Sequence, residues 1–161
     1  VATGAFHGKT MGSLSLIGKK DYREPVGKLY SGEVYFIPFG DADALQKQFE
    51  ICEKIGVPVA AAMFEPIQGE AGGIVPPDDF WPRARELTKK YGALLIADEV
   101  QTGLGRTGKM WGVDHWGVVP DIITTAKALG GGVMPISAFS STKEIWEVMM
   151  HPNPFIHTTT T

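Results

Sequence analysis

Apolar runs and amphipathic stretches alternate along this chain, and the alternation predicts its elements. Val34-Tyr35-Phe36-Ile37 is an apolar run stopped by Pro38 and predicts a strand. Asp41 and Asp43 offer caps for a helix ending at about Ile55, with Ala44, Leu45, Phe49, Cys52 and Ile55 on one face and Gly56 as its stop. The unbroken run from Val59 to Phe64 fits a strand buried on both faces. A loop rich in Gly and Pro follows through Pro77; Asp79 can cap a helix to Tyr91, which Gly92 ends. Ala93–Ala97, Ile122–Thr125 and Ile136–Ser140 predict three more strands, and Thr142 opens a helix to about Met150. Strands alternating with helices of this length predict an α/β fold, a mostly parallel sheet with helices on both faces. Ligands of such sheets sit beyond the carboxyl ends of the strands. Glu65, Asp98 and, one short loop further, Lys127 all fall there.

Composition narrows the class. With 161 residues, 43% hydrophobic and 20% charged, the chain can bury a core as a soluble globular protein does. A net charge of −3 gives no basic field for nucleic acid and no attraction to an anionic membrane. No apolar run reaches the length of a membrane span. The single cysteine, Cys52, has no internal disulfide partner and falls in a helical pattern, where a half-buried structural thiol is expected. There is no internal repeat. The chain opens on Val1 and closes on His157 and four threonines, which reads as the interior of a longer protein.

The chemistry lies in three polar stretches at strand ends: Glu65-Pro66-Ile67-Gln68-Gly69-Glu70, Asp98-Glu99-Val100-Gln101-Thr102-Gly103, and Ala126-Lys127-Ala128-Leu129 before three glycines. A lone Asp-Glu pair at a strand end most often caps a turn. The functional alternative for Asp98 is a counter-ion for a protonated pyridine nitrogen, which keeps a pyridoxal ring an electron sink. Lys127 is either a loop lysine or an amine whose apolar flanks favour its neutral, nucleophilic form. Phe6 offers a stacking face if a planar cofactor lies near it, Val100 an apolar floor, and Gln101 a donor to a ring oxygen. His7 taken alone reads as a structural histidine, and Glu65 and Glu70 as loop carboxylates. Glu70 can also pair with an arginine or select a cationic amine.

Two glycine patterns are weaker. Gly103-Leu104-Gly105-Arg106-Thr107-Gly108 matches a dinucleotide fingerprint, but Gly112, Gly117, two tryptophans and a histidine make the following segment a poor helix, and Asp121 starts a strand instead of ending one. The same residues mimic a phosphate loop, yet Met110 stands where a Ser or Thr must meet magnesium. His7, His115, His151 and His157 are scattered, so no zinc set is expected, and no G-x-S-x-G motif starts a serine triad.

Taken jointly, Phe6-His7-Gly8-Lys9-Thr10, Glu65–Glu70, Asp98–Gly108, Lys127–Gly132 and His157–Thr160 resemble the class III aminotransferases, pyridoxal-phosphate enzymes of fold type I. The motifs stand in the family's order from the first residue to the last. The resemblance implies that residues 1–161 are the central part of the large cofactor-binding domain. It implies that Lys127 forms the Schiff base with pyridoxal 5'-phosphate and that Asp98 partners the pyridine nitrogen. Phe6 and its neighbour His7 then lie at the cofactor, with Val100 behind the ring and Gln101 on its phenolic oxygen. Thr160, with Thr159 beside it, would hold the phosphate across a homodimer, and Glu70 would meet a switch arginine beyond Thr161. Lys9, Glu65 and Glu70 are the expected substrate residues. Many relatives acting on α-amino acids carry Arg where Lys9 stands, and a lysine cannot make that bidentate grip on a carboxylate. A putrescine-like diamine as donor and a 2-oxo acid such as 2-oxoglutarate as acceptor follow, in a cytoplasmic enzyme. The alternatives are an acetylornithine or ornithine donor, or a truncated non-catalytic relative.

Overall fold

The computed structural model describes residues 1–25 and 33–151. Its centre is a four-stranded sheet in the order β1 (Ala61–Phe64), β2 (Leu94–Asp98), β3 (Ile122–Thr125), β4 (Ala138–Ser141). β1 runs parallel to β2 with Ala61 opposite Leu94, and β2 parallel to β3 with Asp98 opposite Thr124. β4 returns antiparallel, Ala138 opposite Thr125. The mostly parallel α/β sheet expected from the hydrophobic pattern is what the chain forms.

Two short helical turns, α1 (Met11–Leu14) and α2 (Lys20–Arg23), precede the long helices. The helix α3 (Ala42–Lys54) starts where Asp41 accepts the Ala44 N–H at 2.8 Å. Its apolar residues recur at helical spacing, and Ala42, Leu45, Phe49 and Cys52 are buried. Ile55, expected on that face, falls past the last turn and is 61% exposed. Cys52 is fully buried, its sulfur accepting from the Gln48 amide, where half-burial was expected. The helix α4 (Phe80–Lys90) buries Phe80, Trp81, Ala84 and Leu87. Asp79 precedes it but makes no side-chain cap.

The core forms where these helices cover β1 and β2: Phe64 meets Phe80 edge-on at 5.1 Å, and Phe49 stacks on Tyr91 at 4.9 Å. Each large side chain so buried contributes about 1.5–3 kcal/mol. The Asp121 carboxylate ties α4 to the sheet by accepting from Arg85 and from the Leu95 N–H, both at 2.7 Å. That contact lies at the amino end of β3, away from Asp98.

The strand expected over 34–37 does not form. Ile37 pairs in an isolated parallel bridge with Ala2, and the Tyr35 carbonyl accepts from the Val1 amino group at 3.1 Å. That bridge fixes the amino-terminal segment. Gly18 then lies back to back with it: its N–H reaches Ala5 O at 2.9 Å, and a Cβ there would collide with the Ala2 carbonyl. The next residues, Phe6 and His7, are thereby directed at the carboxyl ends of the parallel strands.

Candidate active site

Because β1, β2 and β3 are parallel, their carboxyl ends share one edge, and a cavity of about 190 Å³ opens there. Phe6, His7, Gly8, Glu65, Glu70, Asp98, Val100, Gln101 and Lys127 line it. A larger cavity of about 340 Å³ lies beside β1 and α3, lined mainly by Val, Leu, Ile, Pro and Ala, without a comparable set of chemical groups.

Asp98 ends β2 with its carboxylate buried. One oxygen, Oδ1, accepts from the Val100 N–H and the Thr124 hydroxyl, each at 3.1 Å. The other, Oδ2, lies 2.7 Å from His7 Nδ1. The His7 side chain is fully buried and its Nε2 has no partner among the described residues. A carboxylate held from three directions cannot rotate freely, so its orientation toward the cavity is set before anything binds.

Glu65 follows β1. Its Oε1 accepts the Phe6 N–H at 3.0 Å and its Oε2 the Gly69 N–H at 3.1 Å, so it clamps the amino-terminal segment to the loop after β1. Burial holds its carboxyl above the usual carboxylate range, against the pull of those two donors. The clamp leaves Gly69 against the Gln101 side chain, with which a Cβ would collide.

Lys127 opens a 3₁₀ turn, Lys127–Gly130, just past β3, with a left-handed backbone at φ +46°. For a residue with a Cβ that conformation costs roughly 1–2 kcal/mol, a cost found most often at functional sites. Its Nζ donates to Gln101 Oε1 at 3.1 Å. Ala128 and Leu129 are exposed, so the apolar surroundings expected from the sequence do not form around Lys127 among the described residues.

Glu70 lines the cavity with its side chain half exposed. Lys9 does not line it; its ammonium sits over the rings of Tyr22 at 4.9 Å and Phe6 at 5.9 Å. Tyr22 meets Phe6 edge-on at 5.8 Å. Thr159, Thr160 and His157 lie outside the described residues.

Sequence reasoning missed Thr124, Tyr22 and Lys19. Thr124 was within reach, since aligning the ends of β2 and β3 sets it opposite Asp98. Tyr22 and Lys19 carry no periodic signal. The glycine pattern from 103 to 108 forms turns, followed by the short 3₁₀ helix Gly112–Trp116, so the helix a dinucleotide needs is not there.

The family profile described as aminotransferase class-III matches residues 1–161. The chain is 54% identical over 159 residues to a putrescine aminotransferase of Pectobacterium atrosepticum, covering 99% of this chain and 34% of that protein. An ornithine aminotransferase of Toxoplasma gondii, solved with partial occupancy of PLP at its active site, superposes with a TM-score of 0.84 at 34% identity, over 94% of this chain and 34% of that one. An (S)-enantioselective omega-transaminase of Thermomicrobium roseum gives 0.83 at 37% identity, over 99% and 39%. The chain thus spans about a third of the length of these relatives.

Proposed function

The chain belongs to the class III aminotransferases, and from that premise we propose that the full-length protein moves the terminal amine of a putrescine-like diamine to a 2-oxo acid such as 2-oxoglutarate, using pyridoxal 5'-phosphate. One observation carries the reading: Asp98 and Lys127, from neighbouring parallel strand ends, line the same cavity with the Phe6 ring. Residues 1–161 are then the central part of the large cofactor domain of a homodimer.

The donor set fits that cofactor: a buried carboxylate that would meet a ring nitrogen, an amine that would meet an aldehyde, and the Phe6 ring and the apolar Val100 side chain as surfaces for a planar ring. When bound, the cofactor supplies an aldehyde that combines with amines and a ring that withdraws electrons from the substrate carbon. Asp98 sustains that withdrawal by keeping a negative charge against the ring nitrogen. His7, Thr124 and the Val100 N–H keep the carboxylate aimed. Lys127 would hold the aldehyde through its amine, and that amine, once displaced by the substrate's own, would be free to carry a proton at the substrate carbon. Gln101, already bonded to Lys127, orients the amine before binding.

Lys9 supports the diamine. Parked over Tyr22 and Phe6, it does not reach into the cavity to grip a carboxylate, and a diamine has none. The identity to a putrescine aminotransferase points the same way. The likeness to an ornithine aminotransferase favours an amino-acid donor as the second reading, and initial rates with putrescine against ornithine and acetylornithine separate the two. In the full-length protein, Lys127→Ala is expected to lower transamination by several orders of magnitude. A variant that keeps a near wild-type rate sinks the assignment.

A further inference from the structure

We infer that Glu65 is a positioning residue whose one carboxylate sets both the Phe6 ring and the Gln101 amide, an inference that rests on the cofactor reading above and gives Glu65 a different task from the substrate contact expected of it. Glu65 is buried and directly follows β1. Its Oε1 accepts the N–H of Phe6, 59 residues away in sequence, at 3.0 Å, and its Oε2 the N–H of Gly69 at 3.1 Å. Each bond fixes a different wall of the cavity. Holding the Phe6 N–H holds the backbone from which the cavity-lining ring projects. The Gly69 peptide is held on both sides, since its carbonyl accepts from the Gly72 N–H at 3.0 Å. A Cβ at Gly69 would collide with the Gln101 side chain, so this backbone is the surface against which Gln101 rests. Gln101 Oε1 in turn accepts from Lys127 Nζ at 3.1 Å.

Because both oxygens belong to one planar group, a rotation that lengthens one bond strains the other. The aromatic wall and the amide bonded to Lys127 are therefore set together. Gln68 offers the contrast within the same stretch of chain. It too is buried, and its Nε2 donates to the Thr3 carbonyl at 2.9 Å, fastening the same amino-terminal segment. Neither Gln68 nor Thr3 lines the cavity. Gln68 thus staples the segment to the loop after β1, whereas Glu65 staples the two backbone points that carry cavity walls.

The test uses the full-length protein, freed of cofactor and titrated with pyridoxal 5'-phosphate at a temperature where every variant is folded. Glu65→Gln keeps the size, but an amide has one acceptor oxygen, so one of the two N–H groups meets an NH₂. The cofactor dissociation constant is expected to rise about three- to tenfold, the scale of one net hydrogen bond. The induced circular dichroism of the bound cofactor should weaken with it. Once loaded, the variant should lose kcat/KM for putrescine and for 2-oxoglutarate by the same factor. Gln68→Leu removes the other staple and should lower the unfolding midpoint while leaving the dissociation constant unchanged. A substrate contact at Glu65 would move kcat/KM for one substrate and spare cofactor binding and dichroism, and that result overturns the proposal. Equal shifts in the dissociation constant from Glu65→Gln and Gln68→Leu overturn it too, because the segment then responds as a whole. If the wild-type protein binds no pyridoxal 5'-phosphate, the functional reading fails and this inference falls with it. Should Glu65→Gln fold poorly, Gly69→Ala decides. It leaves the carboxylate intact and displaces Gln101, so the visible absorption band of the bound cofactor should move, and an unmoved band refutes the link from Glu65 to Lys127.

Discussion

Asp98 and Glu99 are consecutive carboxylates with opposite fates. Asp98 lines the cavity and is held by His7, Thr124 and the Val100 N–H. Glu99 is 1% exposed and accepts from the Val113 N–H, the Gly112 N–H and the Thr102 hydroxyl, pinning the 3₁₀ helix Gly112–Trp116 beneath the end of β2. Both are buried and both are hydrogen-bonded, so burial does not separate the carboxylate proposed for the cofactor from a structural one. Access to open volume does. Asp98 lines space a ligand can enter, and Glu99 is not among the residues that line it. One carboxylate is therefore spent on the fold, and the other is oriented by the fold at the edge of the cavity.

The largest test of that contrast is Asp98→Asn in the full-length protein. Asn keeps the shape, and its oxygen can still accept from Val100 and Thr124, so unfolding free energy should change by no more than about 1 kcal/mol. Activity should fall roughly a thousandfold, the scale of removing a fixed group aimed at developing charge. Steady-state rates and urea unfolding on the same preparation read both. A large loss of stability with modest loss of rate would make Asp98 a second Glu99.

Glu99→Gln should do the reverse. Whichever way the amide is turned, its NH₂ faces a backbone N–H of Gly112 or Val113, leaving a buried donor unpaired. The expected cost is about 2–3 kcal/mol of stability, with rate per folded molecule near wild type. Neutralising a buried charge offsets part of the loss, which keeps the figure below that of a truncation. An unchanged unfolding midpoint would show that Glu99 is not the strut its contacts describe.

What the sequence made legible follows the physics of each feature. Glu65, Asp98 and Lys127 were readable as one edge because the apolar runs 59–64 and 93–97 and the β-branched run Ile122–Thr125 mark parallel strands, and strand direction then fixes which ends meet. The run at 34–37 differs for the complementary reason: its apolar content is real, but pairing is a property of the neighbour, and the backbone beside it meets only the Tyr35 carbonyl and Ile37. Side-chain partnerships were the least legible. His7 reaches Asp98 across 91 residues and Lys19 reaches Glu70 across 51, and no periodicity encodes such contacts. Glu99 was hidden by its neighbour. The strand end marked Asp98, but nothing in the Asp-Glu pair showed that Glu99 would accept from Gly112, Val113 and Thr102.

The finest division of the two roles is between their threonines. Thr102 donates to Glu99 and Thr124 to Asp98, so Thr102→Val and Thr124→Val delete one hydroxyl from each carboxylate at nearly constant size. Thr102 is buried, and Glu99 keeps its two backbone donors, so Thr102→Val should cost roughly 1 kcal/mol of stability and leave kcat unchanged. Thr124→Val leaves Asp98 with the Val100 N–H and His7, enough to keep it in place but with less restraint on Oδ1. Its effect should fall on kcat, a loss of up to about fivefold, equivalent to about 1 kcal/mol of transition-state stabilisation. Urea midpoints at constant m-value read the first effect and single-turnover rates the second. If both substitutions lower stability and spare the rate, the orientation of Asp98 does not depend on Thr124, and His7 is the contact that sets it.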